Sequence, residues 1–234
     1  MTRIISDTRF REAQKFESDY WISRQHDPVG LIDDLYGQFT LAEHLQREGY
    51  LARRFHRLLD VGCGGLGVGM LWLLQSEEAY GLEPLPVLPP QSGCKLLDEF
   101  IGGVQSRTEY VMAKAESIPF EEKFFDCVVC NNVLDHVHDP LAILTEIKRV
   151  LSPDGVFAFA VDAHSVRSLV HKKILKAICP NRGSLPGHPY EWTEDQMSQI
   201  LTKHGFALVS HRSRSLKGRT LGRVRRTTWL LRHA

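Results

Sequence analysis

The sequence predicts an α/β protein built on a doubly wound, mostly parallel sheet, and three observations carry that reading. From residue 57 onward, strand-like and helix-like segments alternate in the manner of repeated βα units. A hydrophobic strand, RLLDVG, runs directly into a turn in which Gly62, Gly64 and Gly67 keep the spacing G-x-G-x-x-G. Two strand-like stretches, ALVSHRSRSL and RRTTWLLRHA, close the chain, joined by a Gly/Lys/Arg turn short enough only for an antiparallel pair.

Taken in order, ESDYWISRQ and the helix-like stretches LIDDLYGQF and LAEHLQREGYLARRF precede the first strand as an N-terminal cap. RLLDVG is the first strand, GMLWLLQSEE has a helical pattern, and AYGLE is a second strand ending in an acid. The prolines of LPVLPPQSGCKLLDEFIGG exclude helix from its first half and leave it to the second. TEYVMAKA and FFDCVVCN read as strands, PLAILTEIKRVLS as an amphipathic helix opening on proline, and GVFAFAV as a buried strand. SVRSLVHKKILKAIC is helical in spacing, and NRGSLPGHPYEW is a loop. TEDQMSQILTKHG is a helix with Thr193 at its N-cap and Gly205 just past its end.

Bulk properties bound the class. The chain has 234 residues, 43% of them hydrophobic and 24% charged, with a formal net charge of +1, as expected of one globular domain with helical additions. The N-terminus is interrupted by charge every few residues and no apolar run is long enough to span a bilayer, so a cytoplasmic protein without a membrane span is expected. The five cysteines are an odd count and scattered, which suits a reducing compartment. Cys127 and Cys130 form a C-x-x-C inside a strand-like run, where residues three apart point to opposite faces. They read as buried cysteines, and no metal is expected. Charge is asymmetric: after Asp195 no acid occurs, while nine Lys and Arg fall there, Arg219, Arg223, Arg225 and Arg226 among them. Such a run either protects terminal strands from edge pairing or presents a cationic surface to an anionic acceptor.

The glycine spacing suits any adenosine-bearing ligand, because bare backbone permits close approach. Its surroundings turn it away from nicotinamide. Asp60 stands two residues before Gly62, where an acid opposes a pyrophosphate. The later strand ends in NNVLDHVHDP instead of continuing a second mononucleotide-binding half, and the chain closes on a helix and an antiparallel pair.

The segments LLDVGCGG, AYGLE, AESIPF, FFDCVVCNNVLDHVHDP, EIKRVLSPDGVFAFAV and HPYEWTEDQMSQILTKHGF, in that order across roughly residues 57–210, resemble the class I S-adenosylmethionine-dependent methyltransferases. Within them the resemblance is to the small-molecule enzymes typified by ubiquinone and menaquinone biosynthesis. It implies a Rossmann-like, seven-stranded sheet in which only the last strand inserted runs antiparallel, with residues 1–56 a helical cap of the same domain and 57–234 the cofactor-binding part. It also implies S-adenosylmethionine as cofactor and S-adenosylhomocysteine as product, and a monomer or homodimer is expected.

The site expected from this resemblance lies at the carboxyl ends of the strands. Asp60, Gly62, Cys63 and Gly64 would face the amino-acid portion of the cofactor, and Glu83 would accept from both ribose hydroxyls. Ala115 and Glu116 would edge the adenine with the turn after them, and Asn131 would face the methionine part. Leu66 stands where the family commonly has glycine and Lys114 where it has aspartate. Because Lys114 cannot accept a hydrogen bond, either Glu116 or a backbone carbonyl takes the adenine amino group or adenine is held less tightly.

Methyl transfer from a sulfonium needs in-line placement, with a base where the acceptor atom carries a proton. Candidate bases are His164 and His136, with His138 and His188 on neighbouring loops. Tyr20, Trp21 and Tyr36 either close over the cofactor or pack the cap onto the sheet. The expected acceptor is an O, N or C atom of a small metabolite, lipid or glycan precursor, anionic if the basic tail meets it. A non-catalytic binding protein and a nucleic-acid methyltransferase are the alternatives. Against nucleic acid, strand four lacks an Asn/Asp-Pro-Pro-aromatic turn and no stacking aromatics interleave the basic residues.

Overall fold

The computed structural model describes residues 4–178, 189–215 and 224–234. Seven strands form one sheet: β1 (Arg54–Val61), β2 (Gln75–Glu83), β3 (Glu109–Met112), β4 (Phe125–Asn131), β5 (Leu151–His164), β6 (Phe206–Ser215) and β7 (Val224–His233), in the order β3-β2-β1-β4-β5-β7-β6. The first five are parallel neighbours, and β7 enters between β5 and β6 antiparallel to both. Only this inserted strand reverses direction, as the resemblance implies.

Alternation along the strands sorts the core into two layers. Leu59, Val61, Val128, Cys130, Phe157, Phe159, Trp229 and Leu231 pack on one face, beneath α5 (Pro140–Val150) and α7 (Glu194–Lys203). Leu58, Cys127, Val129, Ala158, Ala160 and Leu230 pack on the other, beneath α2 (Pro28–Gly37), α3 (Phe39–Arg47) and α4 (Lys95–Gln105). Cys127 and Cys130 therefore sit fully buried on opposite faces, as the period of two requires. The helix ends follow local chemistry. Asp139 caps α5 ahead of its first-turn proline, and Thr193 and Gln196 form a reciprocal capping box on α7, which stops before Gly205 at φ +76°.

One sequence expectation fails. GMLWLLQSEE is not a helix: residues 62–74 form successive tight turns, with Gly67 N–H bonded to Gly64 O, Leu71 to Val68 and Leu73 to Met70, and β2 already begins at Gln75. Gly67 (φ +62°) and Gly69 (φ +37°) break any right-handed run, and the Asp60 carboxylate takes the Met70 N–H at 2.5 Å. Leu66, Val68, Met70, Leu71 and Leu74 are buried, so their helix-like spacing is satisfied by an irregular apolar plug under α2 and α4. The turn joining β6 to β7 lies outside the described residues.

The N-terminal α1 (Asp7–Arg24) buries only Ala13 fully, yet it reaches the loops at the carboxyl ends of β1, β3 and β4. Its contacts define the site.

Candidate cofactor and acceptor site

The turn after β1 presents bare backbone. Gly62 and Gly64 take φ +71° and +80°, and a Cβ on Gly64 would lie 2.7 Å from Trp21 Cζ2, one on Gly65 2.5 Å from Trp21 Cγ. A Cβ on Gly62 would meet Val133 Cγ2 at 2.4 Å. Of the three cap aromatics, Trp21 thus lies over the glycine turn, Tyr20 donates its hydroxyl to Asp34 Oδ1 at 2.5 Å, and Tyr36 is exposed.

Glu83 closes β2 in a buried position, and its oxygens accept the Gly64 N–H at 3.1 Å and the Leu85 N–H at 3.4 Å. Burial pushes its carboxyl up to about 7, opposed by those two N–H donors, and Glu17 of α1 raises it further. Glu83 therefore braces the turn after β1. Asp60 is fully buried one level deeper, where burial again pushes the carboxyl up to about 7. Its bond to the Met70 N–H makes it a support of the turn. Cys63 is buried beside it, and burial raises its thiol.

Ala115 is buried, and Glu116 Oε1 accepts the backbone N–H groups of His138 and Asp139 at 3.0 and 3.1 Å, binding the loop after β3 to the loop after β4. Lys114 lies over the Phe10 ring of α1, 5.0 Å from its centroid. Asn131 Oδ1 accepts from Arg226 Nη1 at 3.4 Å, and Arg226 Nε approaches Asp162 Oδ1 at 2.7 Å, a close ion pair without hydrogen-bond alignment. Register explains the meeting: Asn131 pairs Ala160, Asp162 pairs Arg226, and period-two alternation directs all three side chains to the α2–α4 face.

The candidate bases differ in environment. His136 Nδ1 lies 3.1 Å from Glu17 Oε1 and its Nε2 3.6 Å from Asp135 Oδ1, so its ring ties α1 to the loop after β4. His138 Nε2 lies 3.2 Å from Asp7 Oδ1. His164 ends β5, its backbone N–H donating to Trp192 O at 2.8 Å, and its buried Nδ1 has no hydrogen-bond partner among the described residues. Burial and then the nearby Lys172 lower its pKa, against the opposing pull of Glu191, Asp162 and Asp135. His188, Arg219 and Arg223 lie outside the described residues, and Arg225 is exposed.

Sequence reasoning missed Asn132, Glu17 and Asp162. Asn132 holds φ +61°, its N–H donates to Ala160 O at 2.8 Å, and its buried Oδ1 has no partner among the described residues. The Asn-Asn doublet was its one sequence signal, since asparagine tolerates the left-handed region.

The methyltransferase domain family matches residues 34–211, more than half of the chain. This chain belongs to that family. The chain is similar to the tRNA U34 carboxymethyltransferase of Nautilia profundicola, 35% identical over 99 residues, covering 42% of this chain and 31% of that protein. It is also similar to the ubiquinone biosynthesis O-methyltransferase of Vibrio cholerae, 28% identical over 183 residues, covering 71% of this chain and 68% of that one. The chain spans about a third of the first of these relatives and about two thirds of the second. Its fold matches that of the Burkholderia thailandensis 1,6-didemethyltoxoflavin-N1-methyltransferase, crystallised with 1,6-didemethyltoxoflavin and S-adenosylhomocysteine, with a TM-score of 0.66 at 19% identity over 100% of this chain and 93% of that one. Among the described residues of the chain, no helix is long and apolar enough to cross a membrane.

Proposed function

We propose that this methyltransferase binds S-adenosylmethionine at the carboxyl ends of β1, β2 and β4 and passes its methyl group to an O, N or C atom of a small anionic metabolite, lipid or glycan precursor. The observation that carries the cofactor reading is the buried Glu83 carboxylate held against a glycine turn too tight for any side chain. Residues and group fit: a carboxylate has about four acceptor sites, so the bonds from Gly64 and Leu85 leave capacity for ribose hydroxyls. Gly62, Cys63 and Gly64 would hold the amino-acid portion, Ala115 and Glu116 the adenine edge, and Asn131 the methionine end. Bound there, the cofactor supplies an electrophilic methyl group. The chain's part is then to orient the acceptor and exclude water.

His164 is the better of the two candidate bases, because its Nδ1 is unpartnered among the described residues and burial lowers its pKa. His136 is engaged by Glu17, which suits a positioning role. The anionic acceptor rests on Arg226, an arginine of the basic tail that reaches the end of β4. Incubation with methyl-labelled S-adenosylmethionine and a panel of phenols, carboxylates, phosphorylated metabolites and bulk tRNA tests the reading. Label transfer to an anionic small molecule is expected, whereas transfer to tRNA alone would overturn the small-molecule assignment. Thermal melts with S-adenosylmethionine and NAD test the cofactor separately, with a shift expected only for the former.

A further inference from the structure

The helix that follows β5 has a face the catalytic site does not use. α6 (Val166–Ile178) starts two residues after His164. The Ser168 N–H donates to Ser165 Oγ at 3.2 Å, and Lys172 pairs with Glu191 beside the Ala163–Trp192 bridge, so one side of the helix is anchored at the edge of the site. The opposite side carries Val166, Val170, Ile174 and Ile178 at steps of four, each 50% to 72% exposed, with Leu175 next to them. Among the described residues nothing covers this row.

The sequence of α6 contains Arg167, His171, Lys172, Lys173 and Lys176 and no acid. Arg167, His171 and Lys173 are exposed on or beside the apolar arc. At 1.5 Å per residue the row from Val166 to Ile178 runs about 18 Å. Aliphatic residues on one arc with uniformly positive neighbours suit an interface that is apolar below and anionic at its surface. A second copy of this chain fits poorly, because the same cations would face each other. The aliphatic row also offers no ring on which a nucleic-acid base could stack. Arg225, exposed and paired in register with Ala163, adds a positive charge at the same edge of the sheet.

We propose that the exposed face of α6 docks this protein on the surface of an anionic lipid bilayer, with the apolar row entering the headgroup boundary and Arg167 and Lys173 meeting lipid phosphates. The site lies at the base of this helix, so docking brings its mouth to the membrane surface. The proposal is independent of the acceptor and of cofactor binding.

Flotation of the full chain with vesicles tests it. Binding is expected to phosphatidylcholine vesicles containing phosphatidylglycerol and to fall at least about tenfold on vesicles of phosphatidylcholine alone. The Val170→Asp/Ile174→Asp variant should lose binding to the mixed vesicles, and Arg167→Gln/Lys173→Gln should weaken it about tenfold or more. Both variants should keep the parent's thermal melt and its response to S-adenosylmethionine, since the altered side chains are exposed. Equal binding to neutral vesicles, or unchanged binding of the aspartate variant, would overturn the proposal. So would failure of the parent to float together with a dimer that the aspartate variant splits in sedimentation velocity, which would assign the face to a second copy.

Discussion

The Gly64 N–H donates to Glu83 Oε2 at 3.1 Å, tying the turn after β1 to the acid that ends β2. One carboxylate therefore braces the loop, and in the proposed reading it also accepts from the ribose. Glu83→Gln keeps an acceptor oxygen for Gly64 but loses the charge, and it should weaken S-adenosylmethionine binding at least about tenfold by calorimetry, with the fold intact. Unchanged affinity would move the ribose contact elsewhere.

The same carboxylate makes binding depend on pH. Its folded pKa, about 7, lies above that of an unfolded glutamate, so the folded cofactor-free protein binds this proton more tightly than the unfolded chain. The contribution to stability is therefore greatest in acid, declines as pH rises from the unfolded value through about 7, and is flat above. Asp60, also raised to about 7, adds a decline in the same window. Affinity for S-adenosylmethionine should move the other way, rising through about pH 7 as the ribose acceptor ionises. In Glu83→Gln the rise in affinity should vanish, and the stability profile should lose the Glu83 part while keeping that of Asp60. Denaturant titrations and calorimetry across this range read both.

Trp21 occupies the space against Gly64 and Gly65. Trp21→Ala should speed cofactor association severalfold in stopped-flow measurements, because the indole must shift before bare backbone is reached. A slower rate would mark the indole as a wall that holds the cofactor. Gly64→Val should abolish binding even in a Trp21→Ala background, since φ +80° excludes a β-branched residue whatever the space.

Arg226 and Arg225 are adjacent but unequal. Arg226 reaches Asn131 and Asp162, whereas Arg225 is exposed at the sheet edge. Once an acceptor is in hand, Arg226→Gln should raise its KM about tenfold and flatten its salt dependence, and Arg225→Gln should leave both near the parent values. Equal KM values for both variants would reduce the Arg226–Asp162 pair to a brace between β5 and β7.

His44 of α3 is buried between Thr228 Oγ1 and Ser210 Oγ, each 2.7 Å from a ring nitrogen. Burial lowers its pKa to about 4, so its share of stability is full above the unfolded histidine value of about 6.5 and is lost as pH falls toward 4. His44→Leu should cost about 1–3 kcal/mol near neutral pH and remove that part of the acid slope in chemical denaturation.

The sequence by itself determined the order of elements outside residues 62–74, the parallel sheet with its antiparallel finish, the Thr193 cap and the opposed burial of Cys127 and Cys130. Each of these follows from a local period or a capping residue, which a chain carries wherever it folds. It also marked the glycine turn and Glu83, because a strand end, a glycine run and an acid at fixed spacing are local facts. The tertiary structure alone decided that residues 62–74 are turns. Their apolar pattern fits a helix equally well, and only burial under α2 and α4, together with the Asp60–Met70 bond, settles the backbone. It alone brought Arg226 to Asn131 and Glu17 to His136. These partners lie far apart in the chain, and sheet register and the path of α1 across the loops, both long-range in origin, set their distances.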